Sequence, residues 1–471
     1  MKFNELNLHE DILKALEKNK FNEPTEIQIK AIPVFLEGKD LFGKSSTGTG
    51  KTAAFVLPIL SQLKLNLRKP QAIIMAPTRE LALQIMDQVK MFSSKMKHIN
   101  VVPIIGGAPM QNQINRLRDA QIIVGTPGRI NDHINRKTIW LEDVRTVILD
   151  EADEMLKMGF RNEIDAVFEG VDPTGQVGLF SATNNAKVMQ IADRYLKDPV
   201  VVEIDNVIEV NNNIENTFVF TKGFDKNELL LAVFEKHEPK RSIIFSNTKS
   251  MTDKIAKVLR DAGIKAVVIN GDKKQSQRSR AIQQFKNNEY QVLVATDVVA
   301  RGIDITGIDY VINYDISIED EHFVHRIGRT GRNGTTGSSI SFIPNIPTIN
   351  QMKSIQTKYK IVVTEIDAAE YGVEKKKKEA SGQSSNKMGN NGNFRSSRSK
   401  NDSGRGGSRN GRNDRNSSKS SKSGSKNGSN GYGRGKSSDG SKPKQGNNFK
   451  SSDQKRSNGK KKSNSDTRIK W

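Results

Sequence analysis

Cysteine is absent from all 471 residues. That absence excludes disulfide scaffolds, thiolate zinc sites, iron–sulfur clusters and cysteine nucleophiles. Histidine is scarce: the six present are scattered without ligand spacing, so a required metal is expected to be a hard cation held by oxygen, such as Mg²⁺. No stretch approaches the ~18 apolar residues of a membrane span. The opening MKFNELNLHEDILKAL lacks the apolar centre of a signal peptide. A soluble, cytoplasmic protein with no membrane partner is the expectation. No repeat with a period of about 20–50 residues is found, which sets solenoids aside.

Acidic charge is present but unevenly matched. The chain carries 75 Lys+Arg against 53 Asp+Glu, a formal net charge of +22. Residues 374–471 hold 27 of the basic and 7 of the acidic residues, leaving 48 and 46 for residues 1–373. A near-neutral body is thus joined to a strongly basic tail, a distribution suited to a polyanion partner. Beyond Ile366 the chain is Ser, Gly, Asn, Lys and Arg with almost no apolar residues. Such a segment cannot bury enough surface to offset chain entropy, and disorder is expected over 367–471.

The body alternates short apolar runs with amphipathic stretches. AIIMA (72–76), QIIVG (121–125), RTVILD (145–150) and QVGLF (176–180) form a first series. SIIFSN (242–247), AVVING (266–271), QVLVAT (291–296) and YVINYD (310–315) form a second. Near-continuous apolar strands between helices predict parallel sheets covered on both faces. The expected organisation is an α/β domain over 1–205, a linker over 206–213 containing three asparagines, and a second α/β domain over 214–366. After each apolar run the sequence turns polar: PTRE, GTPGR, DEAD, SAT, SNT, NGD, ATD. Open α/β sheets bind ligands beyond the carboxyl ends of their strands, so each half presents a chemical edge and the cleft between them is the expected site.

Residues 45–52 read SSTGTGKT between a short strand and an apolar helix. Gly48 and Gly50 would let backbone N–H groups face a phosphate, Lys51 would reach the β and γ phosphates, and the Thr52 hydroxyl would ligate Mg²⁺. The strict phosphate-loop pattern fails at its first glycine, which is Ser45 here, and a plain strand-to-helix turn is the alternative. RTVILDEADEML supplies a complement, with Asp150 placed to hold Mg²⁺ and Glu151 to activate water. Alone, that carboxylate pair could equally be a helix cap. HRIGRTGR (325–332) offers three arginines to the opposite wall, or is a solvated basic turn. An arginine reaching a transferring phosphoryl group can be worth about 10³–10⁵ in rate.

Together these segments resemble the DEAD-box ATP-dependent RNA helicases, over residues 1 to about 366. The matching segments, in the family's order, are FNEPTEIQ (21–28), SSTGTGKT (45–52), PTRELA (77–82), GG (106–107), TPGR (126–129), DEAD (150–153), SAT (181–183), IIFSNT (243–248), NGDKKQSQR (270–278), ATDVVARGID (295–304) and HRIGRTGR (325–332). The resemblance implies two tandem RecA-like parallel-sheet domains facing a cleft, with an adenine-recognition segment at about 1–29.

The resemblance also implies roles. Phe21 would stack on adenine and Gln28 would hydrogen-bond its edge, while Phe3 is either an aromatic supporting that pocket or a core anchor. Ser45, Ser46, Thr47, Gly48, Thr49, Gly50, Lys51 and Thr52 would hold the ATP triphosphate and Mg²⁺. Asp304 would contact the ribose, and Arg329 and Arg332 would be the arginine fingers. Asp153, Ser181, Thr183 and His325 would couple the ATP site to RNA. Arg79, Gly107, Thr126, Arg129, Thr248, Arg278 and Thr296 would contact an RNA backbone without reading sequence, preferring RNA to DNA through the 2′-OH. In bacteria the family's partners include ribosomal and mRNA-decay complexes, and its roles include cold adaptation. Three residues depart from the family pattern: Ser45 for a small apolar residue, Lys20 for the glycine before Phe21, and Asn270 for a common histidine.

The tail, with GRGG (404–407), GYGRG (431–435) and sparse aromatics (Phe394, Tyr432, Phe449, Trp471), is suited to electrostatic contact and base stacking. The competing expectations are an ATP-independent RNA-binding scaffold or chaperone driven by the tail, and a DNA helicase. A complete hydrolytic set argues against the first, and the motif set against the second.

Overall fold

In a computed structural model the protein is described at residues 1–45, 48–204, 213–297, 305, 307–331 and 335–375. The first sheet contains β1 (Leu41–Lys44), β2 (Ala72–Met75), β3 (Val101–Ile104), β4 (Ile122–Gly125), β5 (Thr146–Leu149), β6 (Gln176–Ser181) and β7 (Val200–Glu203). The second contains β8 (Ile214–Phe220), β9 (Ser242–Phe245), β10 (Ala266–Ile269), β11 (Val292–Ala295), β12 (Tyr310–Asn313), β13 (Gly337–Ile343) and β14 (Thr364–Ile366). Their orders are β3-β4-β2-β5-β6-β1-β7 and β10-β11-β9-β12-β13-β8-β14, with the pairs parallel throughout. Adding seven to each strand of the first order gives the second.

Every apolar run named above becomes a strand. Because side chains alternate across a strand, each run feeds two cores. In the first sheet Leu41, Ala72, Ile74 and Ile148 face one helical layer, and Phe42, Ile73, Met75 and Leu149 face the other. In the second sheet Ile244, Val292 and Val294 face one layer, and Ile243, Phe245 and Leu293 the other. Each fully buried aliphatic or aromatic side chain contributes roughly 1.5–3 kcal/mol, so both faces of both sheets are strongly specified. Pro103, which cannot donate to a ladder, lies on edge strand β3, where its missing N–H is tolerated.

One boundary expectation is corrected. Packed structure continues past Ile366: a 3-10 turn at Ala368–Tyr371, capped by Asp367, buries Ala368 and Tyr371 in the second core. The Tyr371 hydroxyl lies 3.1 Å from His237 Nε2, and the Lys236 ammonium sits 4.6 Å above the Tyr371 ring. The expected linker, apart from Asn213, and the tail from residue 376 onward lie outside the described residues.

Candidate active site and nucleic-acid edge

Parallel strands all end on one side, so the turns that follow them converge. The turn after β1 is shaped by two left-handed glycines, Gly48 (φ 88°) and Gly50 (φ 94°), and leads into the helix Lys51–Gln62. A side chain at Gly50 would place its Cβ 2.4 Å from Gln28 Nε2. Gln28 is buried, donates from Nε2 to the Gly50 carbonyl at 3.0 Å and accepts the Thr25 N–H at Oε1 at 3.0 Å. Both ends of its amide therefore already brace the phosphate loop, leaving one N–H and one lone pair for any base edge. Ser45, at the unexpected position, fits without a gap. Its N–H extends the β1–β6 ladder to the Ser181 carbonyl at 3.1 Å, and its Oγ lies 3.1 Å from Thr49 Oγ1. Lys51 is buried and donates to the Ser45 carbonyl at 2.9 Å, while Thr52 is half-buried at the helix start. Ser46 and Thr47 lie outside the described residues.

Phe21 is 37% exposed and packs edge-on against Phe92, centroids 5.4 Å apart, which leaves a face open. The turn before it explains the missing glycine. Phe21 N–H bonds the Leu16 carbonyl and Lys20 N–H the Glu17 carbonyl, a Schellman cap whose left-handed position is Lys20 at φ 61°. A lysine there costs about 1 kcal/mol that glycine would not. Phe3 is buried in the first core.

Asp150 and Glu151 follow β5. Asp150 is buried; burial raises its carboxyl, with Lys51 and the Glu151 N–H (3.1 Å) opposing. Glu151 sits at φ 53°, ψ 52°, a left-handed conformation that costs a non-glycine residue of order 1–3 kcal/mol and often marks a functional site. Burial and the Asp150 charge push its carboxyl up to about 7, while Lys51 and Arg329 pull it back. Arg329 belongs to the second sheet's edge, so charge from that half already acts on the first half's carboxylate. Arg329 is itself buried, with Nε donating to the His325 carbonyl at 3.2 Å. Arg332 and Asp304 lie outside the described residues.

Three of the expected coupling residues, Asp153, Ser181 and Thr183, bond one another. Thr183 Oγ1 donates to Asp153 Oδ2 at 3.2 Å, Ser181 Oγ donates to the Thr183 carbonyl at 2.6 Å, and Thr183 N–H returns to Ser181 Oγ at 3.2 Å. His325 lies on the helix Asp320–Ile327, its carbonyl accepting from Arg329 Nε.

The expected RNA residues divide into two groups. On the first sheet Arg79 lies across the glycine doublet, so that a Cβ at Gly107 would come within 2.7 Å of its Nη1. Gly107 itself is exposed. Arg129 Nη1 donates to the Ala108 carbonyl at 3.2 Å, and Thr126 caps the same helix, Pro127–Asn135. On the second sheet Thr248 is an exposed helix cap whose Oγ1 accepts the Met251 N–H at 3.2 Å, and Thr296 is half-buried. Arg278 departs from expectation: it is buried and its Nη2 lies 2.5 Å from Glu80 Oε2 across the cleft. In this arrangement its charge is spent on Glu80 rather than offered to solvent.

Sequence reasoning missed three features. Glu80, inside PTRELA, is buried with both oxygens taken by the opposite half: Arg278 at Oε2, and Gln275 Nε2 at Oε1 at 3.2 Å. Its placement one residue after Arg79 on a helix start was the available signal. A second cross-cleft cluster joins Lys157 to Glu321 (2.6 Å) and Glu319 (3.5 Å) while it also holds Glu154 (3.0 Å). Arg326, in HRIGRTGR, is a buried hub. It bonds Asp297 Oδ1 and Oδ2 at 2.5 and 2.6 Å, the Asp315 carbonyl at 2.5 Å and Asn247 Oδ1 at 3.0 Å, tying three strand ends together. Asn270, the third departure, is likewise structural: its Nδ2 reaches Thr252 Oγ1 at 3.0 Å and Asp253 Oδ2 at 3.2 Å.

Among the described residues no group of three or more His, Cys, Asp or Glu could hold a metal ion. No helix among them is long and apolar enough to cross a membrane.

Comparison with known proteins agrees with this geometry. A family model described as DEAD/DEAH box helicase matches residues 25–191, and one described as helicase conserved C-terminal domain matches 225–334. The chain is 43% identical over 329 residues to ATP-dependent RNA helicase CshA of Limosilactobacillus reuteri, covering 70% of this chain and 66% of that one. It is 42% identical over 327 residues to DEAD-box ATP-dependent RNA helicase CshA of Geobacillus kaustophilus, covering 69% and 70%. The chain thus spans about two thirds of the length of these relatives. Among solved structures, S. cerevisiae Dbp5 bound to RNA and ADP BeF3 superposes with a TM-score of 0.72 at 33% identity, covering 79% of this chain and 96% of that one. Mss116p bound to ssRNA and AMP-PNP gives 0.68 at 29% identity, covering 77% and 78%. Two parallel sheets of matching order, a phosphate-type loop, a buried Asp–Glu pair and matches of this extent lead to one conclusion: the chain belongs to the DEAD-box ATP-dependent RNA helicase family.

Proposed function

We propose that this protein hydrolyses ATP in response to RNA and uses the cycle to separate short RNA duplexes and remodel RNA–protein complexes. The observation that carries the proposal is electrostatic: Glu151 on one half lies within the field of Arg329 on the other, beside Lys51. A hydrolytic set assembled from two sheets works only when the halves are together. Phosphoryl transfer needs positioning and charge neutralisation more than covalent chemistry, and these groups supply both.

In this proposal Phe21 and Gln28 select adenine, 45–52 with Lys51 hold the triphosphate, and Asp304 takes the ribose. Glu151 accepts the proton of the attacking water, and Arg329 with Arg332 offset charge developing on the transferred group. Asp150 and Thr52 would hold Mg²⁺. A buried carboxylate with only one N–H donor and Lys51 to offset it suits a cation. When bound, the ion would neutralise phosphate charge. The chain Asp153–Thr183–Ser181 links that site to the RNA edge, where Arg79, Gly107, Thr126, Arg129, Thr248 and Thr296 hold the backbone. Arg278 contributes by closing the cleft through Glu80. ATP and RNA each favour the closed state and therefore favour each other. The domains are taken as 1–205 and 214–373, with the basic segment beyond adding RNA affinity without sequence readout. Ribosomal or mRNA-decay complexes in the cytoplasm are the proposed setting.

Steady-state ATP hydrolysis with and without single-stranded RNA, with single-stranded DNA as control, tests the proposal. Stimulation by RNA alone supports it. Hydrolysis indifferent to RNA leaves a simple ATPase, and no hydrolysis favours an RNA-binding scaffold.

A further inference from the structure

The glycine-doublet loop is held from beneath by a pair of buried polar side chains to which no role has yet been assigned. Gln113, on the helix Met110–Leu117, is 4% exposed and points its amide nitrogen at the loop, 3.1 Å from the Ile105 carbonyl and 3.3 Å from that of Ala108. Its Oε1 faces Nε2 of His133 at 3.4 Å. His133 is completely buried on the helix Pro127–Asn135, and its Nδ1 lies 2.8 Å from Thr138 Oγ1. Burial, reinforced by the charge of Arg129, lowers the His133 pKa, which favours the neutral ring. Nε2–H of the neutral ring can then donate to Gln113, with the Thr138 hydroxyl shared between Nδ1 and the His133 carbonyl (3.2 Å), leaving both Gln113 N–H bonds for the loop.

We infer that Gln113 and His133 are positioning residues for RNA: they lock the glycine-doublet loop and the TPGR helix into one rigid wall. The two segments follow different strands, β3 and β4, and backbone pairing between those strands stops short of the loop. Arg129 bonds the same Ala108 carbonyl from above, and the Arg79 guanidinium lies against Gly106 and Gly107. Three of the residues proposed to touch RNA, Arg79, Gly107 and Arg129, therefore take their positions from a loop that Gln113 holds. Gln275 of the second half also approaches it, since a Cβ at Gly107 would lie 3.4 Å from Gln275 Cβ. Neither Gln113 nor His133 needs to reach solvent or RNA. Buried polar groups are kept only where their bonds are made, and these bonds are made to this loop.

The inference rests on the proposed RNA-stimulated hydrolysis, and its test separates the two. The full-length protein and its Gln113→Met and His133→Phe variants are titrated with single-stranded RNA while ATP turnover is followed. Amide hydrogen exchange is measured over 105–108 and, as an internal reference, over β2 and β5. Losing two hydrogen bonds to the loop should raise the RNA concentration for half-maximal stimulation by about tenfold. Turnover at saturating RNA and RNA-independent hydrolysis should change less than about twofold. Exchange over 105–108 should quicken with β2 and β5 unchanged, and His133→Gln, which retains an N–H donor, should recover most of the RNA affinity. A purely structural role would instead lower turnover and reference exchange protection together. An unchanged half-saturation and unchanged loop exchange in both variants would overturn the inference. If Gln113→Met does not fold, His133→Phe and His133→Gln decide the matter. If the unmodified protein shows no stimulation by RNA, the proposed function fails, and loop exchange still reports on the brace.

Discussion

Replacing Glu151 with glutamine is expected to stop turnover and, at the same time, to make the nucleotide-free protein more stable above neutral pH. In the fold this carboxyl is pushed from its ordinary 4.5 to about 7 by burial and by Asp150, against the pull of Lys51 and Arg329. The native state therefore binds this proton more tightly than the unfolded chain does. Stability supplied by the protonated group is fully present below pH 4.5, declines as pH rises through the window to about 7, and is gone above it. At most the ionised form costs ~3 kcal/mol. Glu151 keeps some solvent contact, and screening brings the expected figure to about 1–2 kcal/mol. Glutamine has nearly the same shape, cannot ionise, and inherits the same left-handed backbone, so strain cancels from the comparison. Urea denaturation of both proteins without nucleotide or divalent cation, at pH 5 and pH 8, measures the effect on the transition that melts the first sheet. The variant should be the more stable at pH 8, with the gap narrowing toward pH 5. Equal stability at pH 8, or a gap indifferent to pH, would refute the account of Glu151 as a destabilised base.

Glu80→Ala strands the buried Arg278 without a partner, which should cost the closed arrangement up to about 3–5 kcal/mol. RNA-stimulated turnover should drop more than tenfold, with nucleotide binding to the open protein preserved by titration. Gly50→Ala meets Gln28 Nε2 at 2.4 Å from a left-handed backbone; a fluorescent ATP analogue should bind at least tenfold more weakly. Removing 374–471 should flatten the salt dependence of RNA binding. With about six phosphates neutralised, the slope of log affinity against log salt is near −4 in the full chain, and filter binding at several salt concentrations reads the change.

Much of this fold was legible because strands buried on both faces are written as apolar runs such as AIIM and SIIF. β13 was harder to read. Its sequence GSSISFI places Ser339 and Ser341 inside a sheet, where Ser339 Oγ donates to Asn216 and Ser341 accepts from Asn313. A strand whose interior polar groups satisfy each other does not look apolar. Residues at strand ends were legible as chemistry but not as partners. Arg278 read as an RNA-backbone contact because its counter-charge, Glu80, is 198 positions away. Arg326 and Arg329 share one short motif, yet one is locked on Asp297 and the other acts toward Glu151, a division that spacing alone does not give.

The matched strand orders carry a consequence for how many nucleotides the chain can hold. β8 stands where β1 does and β12 where β5 does, so Lys226, which opens the helix Lys226–His237, is the counterpart of Lys51, and Asp315, two residues past β12 as Glu151 is two past β5, that of Glu151. In the second half this lysine and aspartate have found each other: Nζ of Lys226 lies 2.8 Å from Asp315 Oδ1. Burial alone would raise the Asp315 carboxyl, but Lys226 and its hydrogen bonds bring it below the usual range, the reverse of Glu151. At the head of the same helix Asp225 bonds the N–H groups of Asn227 and Glu228 at 2.7 and 3.4 Å, occupying with its own carboxylate the place a phosphate would take. One half of a twofold architecture thus opens its first helix at Gly50 with no side-chain cap, while the other caps the equivalent helix with a carboxylate of its own, so the two helix starts are not interchangeable as anion seats.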